Sequence, residues 1–300
     1  MSLTVAVIGG GIFGSAIALE LSKFYETTLF ESQQNILCGA STSNHCRHHA
    51  GFHYPRSKDT VTSIRHASAS FEKVFGDCLV ADFPSYYAVS KTQSKTTSAQ
   101  FLEFCKSSKL QFEICQIPNR IFDPSKLEIC IKTSESVYDT DLLRDLILLA
   151  AGSQPALQMV FNHKVVGISM INAKKRLSIK NHDDLFEADY DFVINCTYTN
   201  FNEFCDWINA PKKIVLYELV ELLEVELPEQ DKFGATVIDG DFPSILPRGY
   251  SDTYTLGHVH ASVLVSVISD QKTTEVSVDR AVKSQSELIM EESIKYLPIL

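Results

Sequence analysis

The spacing Gly9-x-Gly11-x-x-Gly14 constrains this chain more than any other feature, because of what flanks it. Leu3 to Ile8 is a short, almost wholly apolar run, the pattern of a strand buried on both faces. Ile12, Ala16 and Leu19 then recur at helical spacing towards Leu21, and a second apolar run, Thr27 to Phe30, ends on the acid Glu31. Strand, tight glycine turn, helix, strand and acid in this order form a dinucleotide-binding fingerprint. Gly9 permits the turn off the strand, Gly11 lets the backbone approach a pyrophosphate, and Gly14 lets the helix pack close to the sheet. The helix start offers free N–H groups to an anion. Ile12 and Phe13 lie at that start, and Glu31, with Ser32 beside it, is placed to accept hydrogen bonds from an adenosine ribose. No Gly-Lys-Ser/Thr follows, which excludes a Walker-type phosphate loop.

A length of 300 residues suggests about two domains on a ~150-residue prior. The net charge of −10, from 27 basic and 37 acidic residues, argues against nucleic-acid binding, and no Lys/Arg block reverses that. The apolar start lacks a basic leader and carries Glu20, so it does not read as a signal peptide. No stretch reaches the ~18 uninterrupted apolar residues of a membrane span, and the expected location is cytoplasmic. The 8 cysteines form no C-x-x-C pair, so neither a zinc site nor a redox dithiol is expected, and no metal is assigned.

Beyond Glu31, residues 32–55 show no clear periodicity, and a run of that length inside a domain is usually functional. Helices are expected over Ser57 to Phe75, Thr97 to Ser107 and Asp139 to Gly152. In the last, Asp139 caps the start, Leu142, Leu143, Leu146 and Leu149 form the apolar face, and Gly152 takes a left-handed C-terminal position. Strands are expected at Tyr86 to Ser90 and Gln111 to Ile117. Met159 to Ile171, Arg176 to Lys180 and Leu185 to Ala188 read as a meander. Tyr190 to Cys196 should return to the parallel sheet and bring Cys196 and Thr197 to its carboxyl edge, where nucleotides bind. Lys213 to Leu227 and His258 to Ser269 read as long strands of a separate antiparallel sheet, and Thr274 to Tyr296 as mostly helical.

Together the fingerprint, the SxSN...HAGFHYP stretch, the VYDTDLLRDLI helix start and the strand ending VINCT resemble the FAD-dependent oxidoreductase superfamily of D-amino acid oxidase type. His49-Ala50-Gly51 with Tyr54 looks like the H-A-G-x-x-Y segment of its L-2-hydroxyglutarate dehydrogenase branch; glycine and sarcosine oxidases are further members. The resemblance implies an α/β fold in which a Rossmann-like FAD-binding domain (1–80 and 135–205) is interleaved with a mixed or antiparallel β-sheet substrate domain (81–134 and 206–300). It implies FAD as cofactor, with His49, Ala50 and Gly51 beside the flavin ring and Val165, Cys196 and Thr197 among the cofactor contacts. The chain departs from the family at Tyr25-Glu26 and at Tyr198, where glycine is common. No C-terminal glycine-rich return segment is found.

Ser41, Ser43 and Asn44 are candidates to hydrogen-bond the pyrophosphate or ribityl chain, or are simply turn formers. His45, His48, His49 and His53 are the densest histidine cluster, and their spacing matches no zinc pattern. His49 and Tyr54 are candidates to orient the substrate or take a proton, and His49 to carry a covalent flavin. Arg47, Arg56 and Arg248 are candidates to clamp a substrate carboxylate, or are solvated surface cations. His258 and His260 share one face of an expected strand, either a cavity or a polar sheet surface. Trp207 and Tyr217 read as core. The function expected is oxidation of a small, carboxylate-bearing hydroxy acid or amino acid by hydride transfer to FAD. A NAD-dependent dehydrogenase and a non-catalytic flavoprotein-like module are the alternatives.

Overall fold

The computed structural model describes residues 2–227, 231–272, 276 and 282–300. The chain divides into two compact units, the first drawn from Met1–Ser43, Arg144–Glu218 and Ser266–Arg280, the second from Asn44–Leu143, Leu219–Val265 and Ala281–Leu300. Residues 44–80 and 135–143, grouped from the sequence with the nucleotide domain, fall in the second unit, and 206–218 and 266–280, grouped with the substrate domain, in the first. The reason is visible in the small sheet of Arg47–His48, Leu79–Val80 and Ser136–Tyr138, which ties these segments to one another.

The first unit is built on a parallel sheet in the order Phe192–Asn195, Thr4–Ile8 (β1), Glu26–Phe30 (β2), Leu157–Val160. Helix α1, Ile12–Leu21, carries the chain from β1 to β2. β1 lies between two neighbours, and Val5 to Ile8 are buried, which is why it reads as an unbroken apolar run. Three antiparallel strands, Lys164–Ile171, Lys174–Asn181 and Asp184–Tyr190, send Val165, Leu177 and Ile179 against Ala6, Ile8 and Phe30. The expected strand Met159 to Ile171 is in fact two strands, broken where Asn162 turns at φ +58°. Trp207 packs partly buried against Phe204, and Tyr217 is buried, both as expected of core residues.

The second unit holds a seven-stranded mixed sheet in the order Leu223–Glu226, Thr253–His258, Pro243–Pro247, Gly234–Ile238, Ser85–Ser90, Leu127–Thr133, Glu113–Cys115. Its one parallel pairing among the described strands joins Gly234–Ile238 to Ser85–Ser90. Helices Lys58–Phe75 and Ser98–Ser107 begin at Ser57 and Thr97, whose side chains accept from Thr60 N and Gln100 N. Tyr87, Phe52 and Phe101 pack on one set of core contacts, and Phe122, Phe242 and Leu256 on another.

Several expectations need correcting here. Lys213 to Leu227 is split into Val215–Val220 and Leu223–Glu226. Glu221 between them donates its N–H to Ser262 O, and its carboxylate accepts from Gln285 N and Ser284 Oγ. His258 ends its strand, and the following turn buries His258 while leaving His260 exposed, so the two do not share a face. The strand expected over Gln111 to Ile117 contracts to Glu113–Cys115. In helix Thr140–Gly152 the buried residues are Leu143 and Ile147, whereas Leu142 and Leu149 are exposed; Gly152 has no left-handed backbone. Of the expected Thr274 to Tyr296 helix, Ser286–Ile294 is helical, and residues 274–275 and 277–281 lie outside the described residues. No helix among the described residues is long and apolar enough to cross a membrane.

Candidate functional site

In the first unit the glycine turn has the geometry its spacing requires. Gly9 sits at φ +102°, and a Cβ there would lie 2.7 Å from Cys196 O. A Cβ on Gly14 would fall inside the carbonyl oxygen of Gly9, so helix and turn touch backbone to backbone. Gly11 differs: its φ of −67° suits any residue, and a Cβ would meet only Ser41 Oγ, at 3.3 Å. Of the three, Gly11 is the one where an added Cβ would meet no backbone, only the serine hydroxyl.

The cradle is lined by polar groups. Gly10 N donates to Glu31 Oε2 at 2.6 Å, and Gln33 N and Ser32 Oγ donate to Glu31 Oε1 at 2.8 and 3.0 Å. A carboxylate has about four acceptor sites, so Glu31 retains capacity for a ribose hydroxyl. Ser41 Oγ accepts from Ile12 N at 3.0 Å, covering a donor at the start of α1. Phe13, 78% exposed, stands on the first turn of that helix, whose N-cap residue Gly11 has no side chain of its own to cap it. Ser43 is exposed. Val165 points into the core, so only its backbone is available to a ligand.

At the carboxyl edge of the sheet, Cys196 N donates to Ile8 O at 2.8 Å, and Thr197 N and Oγ1 both donate to Asn195 Oδ1. Burial raises the Cys196 thiol's pKa, keeping it protonated and unreactive. Tyr198, where the family commonly has glycine, adopts φ +52° and is 74% exposed. The backbone thus keeps a glycine-like conformation with a ring attached. These residues fit an adenine dinucleotide: Gly11 keeps the turn bare of a side chain, the helix start offers N–H groups, and a carboxylate stands at the end of β2.

In the second unit, the SxSN...HAGFHYP stretch is organised around a buried charge that the sequence gives no direct sign of. Arg47 is buried, and its guanidinium donates to Tyr87 Oη, to Thr236 Oγ1 at 2.8 Å and to Glu135 Oε2 at 3.3 Å. Tyr87 Oη donates to the same Glu135 oxygen, and Ala50 N donates to Glu135 Oε1 at 2.8 Å. Burial works against the Arg47 charge, but Tyr87 and Glu135 outweigh it and hold its pKa above the ordinary value. Burial, with Glu135 beside it, holds the Tyr87 phenol well above its usual range. Arg47 is therefore a buried structural cation, bound to Tyr87, Thr236 and its own carboxylate partner Glu135 rather than free to clamp a substrate carboxylate.

Four histidines surround this hub. Burial first, and the Arg47 charge second, lowers His45 and His49 to about 3 and His53 to about 4; burial also lowers His48. They are neutral at pH 7. His45 Nδ1 lies 2.9 Å from Thr255 Oγ1, and His48 stacks on Phe71. The His49 ring lies 5.3 Å from that of Tyr54 and 5.8 Å from that of His53. Gly51, at φ +119°, turns the chain beneath them; a Cβ there would press on Val61 at 3.0 Å. Asn44 Oδ1 accepts from Cys46 N at 2.6 Å, the turn-former alternative for that residue. Among the described residues no group of three or more His, Cys, Asp or Glu is arranged to hold a metal.

The remaining candidates stand apart from this cluster. Arg248 pairs with Glu224 at 2.7 Å at an exposed position, and exposed Arg56 pairs at 2.6 Å with the half-buried Asp239, whose charge reaches His53. His258 Nδ1 accepts from Ala261 N at 3.2 Å, and its own N–H donates to Ser262 Oγ, so it serves a turn. Glu135, Tyr87 and Thr236 escaped the sequence reading. The one available signal was an acid inside a strand-forming run, Thr133 to Tyr138.

The fold of the first unit and its cradle define a dinucleotide-binding protein of Rossmann type. The chain belongs to the FAD dependent oxidoreductase (DAO) family, whose model matches residues 4–211. The dinucleotide is accordingly FAD, which sets aside the NAD alternative. The chain is 28% identical over 256 residues to the FAD-dependent monooxygenase kojA of Aspergillus flavus, covering 82% of this chain and 58% of that protein. It is 24% identical to the FAD-dependent monooxygenase FPY4 of Fusarium mangiferae, over 98% of this chain and 75% of the relative. The chain thus spans little more than half the length of the Aspergillus relative. In fold it is similar to glycine oxidase from Geobacillus kaustophilus (TM-score 0.73, 14% identity, 98% of this chain and 78% of that one). It is equally similar to L-alpha-glycerophosphate oxidase from Mycoplasma pneumoniae, a structure with FAD bound (TM-score 0.72, 14% identity, 99% and 79%).

Proposed function

We propose that the chain binds FAD through the first unit and oxidises a small hydroxy acid or amino acid, with the substrate-handling side chains in the second. The glycine turn at the start of α1, bare of a side chain at Gly11 with Ser41 Oγ and the Glu31 carboxylate beside it, is the observation that carries this reading. When bound, FAD supplies the acceptor for the hydride from the carbon bearing OH or NH2. Gly9, Gly11 and Gly14, with the N–H groups at the start of α1, hold the pyrophosphate. Glu31 accepts from the ribose, and Ser32 steadies its carboxylate. Ser41, Ser43, Cys196 and Thr197 of the first unit contribute contacts along the cofactor.

His49 acts as a neutral hydrogen-bonding group that orients the substrate beside Tyr54. Burial and the Arg47 charge lower its pKa to about 3, so it is neutral at pH 7. Arg248 remains the candidate carboxylate clamp. Its pair with Glu224 is exposed, and such pairs are worth only about 0–1 kcal/mol, so exchange for a substrate carboxylate costs little. His258, held by its turn, supports the loop after its strand.

The test is the visible spectrum of the purified protein after adding FAD, followed by anaerobic addition of hydroxy and amino acids. Bound flavin that bleaches with one of them supports the reading; a folded protein that takes up no flavin overturns it. A monooxygenase is the second reading, favoured by the names of the fungal relatives. It predicts bleaching by NAD(P)H instead, and product oxygen derived from labelled O2.

A further inference from the structure

From the surroundings of His49 we infer that Glu135 is a positioning residue that fixes which nitrogen of the His49 ring carries the proton. Glu135 Oε1 lies 3.9 Å from His49 Nδ1, and the Glu135 side chain is only 1% exposed. His49 Nδ1 is shielded from solvent and has no hydrogen-bond partner among the described residues. A ring nitrogen facing a carboxylate oxygen is favoured as N–H and disfavoured as a lone pair, because two lone pairs would otherwise face each other. In a neutral imidazole one nitrogen is a donor and the other an acceptor. The geometry therefore selects Nδ1–H and leaves Nε2 as the acceptor.

The carboxylate cannot turn away. Its Oε2 accepts from Arg47 and Tyr87, and its Oε1 accepts from Ala50 N, the residue directly after His49. One side chain thus holds both the backbone and the ring tautomer of the His-Ala-Gly segment. Of the other groups near the ring, His53 and Tyr54 make ring contacts at 5.8 and 5.3 Å, and Arg47, His45 and His48 also act on it electrostatically; none of these supplies a carboxylate. A cavity of about 380 Å³ borders the pair, lined by His48, His49, Ser68, Glu72 and Glu135 among others, with room for the ring to swing if the carboxylate is lost.

The consequence for chemistry rests on the reading that His49 meets the substrate. An Nε2 lone pair accepts a hydrogen bond from a substrate O–H or N–H, whereas an Nε2–H would repel that donor. Glu135→Gln keeps the shape of the side chain; the Arg47 cation holds the amide oxygen on its own side, so the NH2 takes the place beside Nδ1 and favours the opposite tautomer.

The experiment is 15N NMR of the histidine side chains in the protein without added cofactor, at pH 7, with His49 assigned by a His49→Gln variant. The expected result is pyrrole-type Nδ1 and pyridine-type Nε2 for His49. In Glu135→Gln the two resonances are expected to exchange character or average, and in Tyr87→Phe, which retains the carboxylate, to stay as in the wild type. A wild-type His49 protonated on Nε2 overturns the inference even if Glu135→Gln fails to fold. So does an unchanged tautomer in a folded Glu135→Gln. If FAD oxidase activity is found, kcat/KM of that variant should fall roughly 10²-fold, the scale of a misplaced catalytic contact. Absence of any oxidase activity would overturn the proposed function while leaving the tautomer result intact.

Discussion

Gly11→Ala and Gly14→Ala are one methyl group each, three residues apart, and the structure assigns them opposite failures. At Gly11 the backbone conformation is open to any residue, and the added Cβ meets only Ser41 Oγ at 3.3 Å. Losing a glycine N-cap costs about 1 kcal/mol, and the stiffer unfolded chain returns about 0.4–1 kcal/mol, so the stability change is near zero. The methyl instead occupies the space where a pyrophosphate must approach the backbone. Overpacking of this kind costs about 1–3 kcal/mol, or roughly 5- to 150-fold in FAD affinity. At Gly14 the Cβ collides with the backbone oxygen of Gly9 and presses on Cys196 Cβ at 3.2 Å. Neither neighbour is the flexible end of a side chain, so α1 must move off the sheet and stability falls by about 3 kcal/mol or more. Urea unfolding without cofactor, together with FAD titration followed by flavin fluorescence, separates the two. A Gly11→Ala protein that binds FAD as the wild type does would refute the cradle; a stable Gly14→Ala protein would refute the helix–turn contact.

The low pKa values of His45, His49 and His53 imply a pH dependence. Between pH 6.5 and 4 the unfolded chain binds protons that the folded chain refuses, so stability falls with pH, by at most about 2 kcal/mol per histidine at pH 5. Urea midpoints at pH 7 and pH 5 test this, and equal midpoints would contradict it. Arg47→Met leaves Glu135 buried without its cation and should cost about 3–5 kcal/mol, much of it restored by adding Glu135→Gln, as read by thermal unfolding. Asp139→Ala removes an acceptor for Asp141 N, Leu142 N and Tyr250 N; a loss of about 1–2 kcal/mol is expected, and Asp139→Asn should recover most of it.

The nucleotide cradle was legible because its parts are local: glycine spacing, flanking apolar runs and an acid after β2 all lie within 31 residues. The reading failed where partners are far apart in sequence. Arg47 looked like any surface cation until Tyr87, Glu135 and Thr236, separated from it by 40, 88 and 189 residues, were seen to converge on it. His258 and His260 were misplaced because alternation predicts a shared face only while the strand continues, and nothing in GHVHAS marks its end at His258. The same applies to Lys213 to Leu227, where β-branched residues run on through the break at Glu221.

The parallel pairing of Ser85–Ser90 with Gly234–Ile238 has a consequence for how the chain is made. The two strands stand side by side, yet 149 residues separate their first positions, and all of the first unit's second segment is synthesised in between. At about 5–20 residues per second, the hydrogen-bonding edge of Ser85–Ser90 waits roughly 7–30 s on the ribosome for its partner. During that time Ser85–Ser90, Leu127–Thr133 and Glu113–Cys115 form an antiparallel sheet with a bare, apolar edge, the surface on which nascent chains join one another. Yield in a cell should therefore depend on chaperones that shield this half-built sheet more than on the stability of the finished protein.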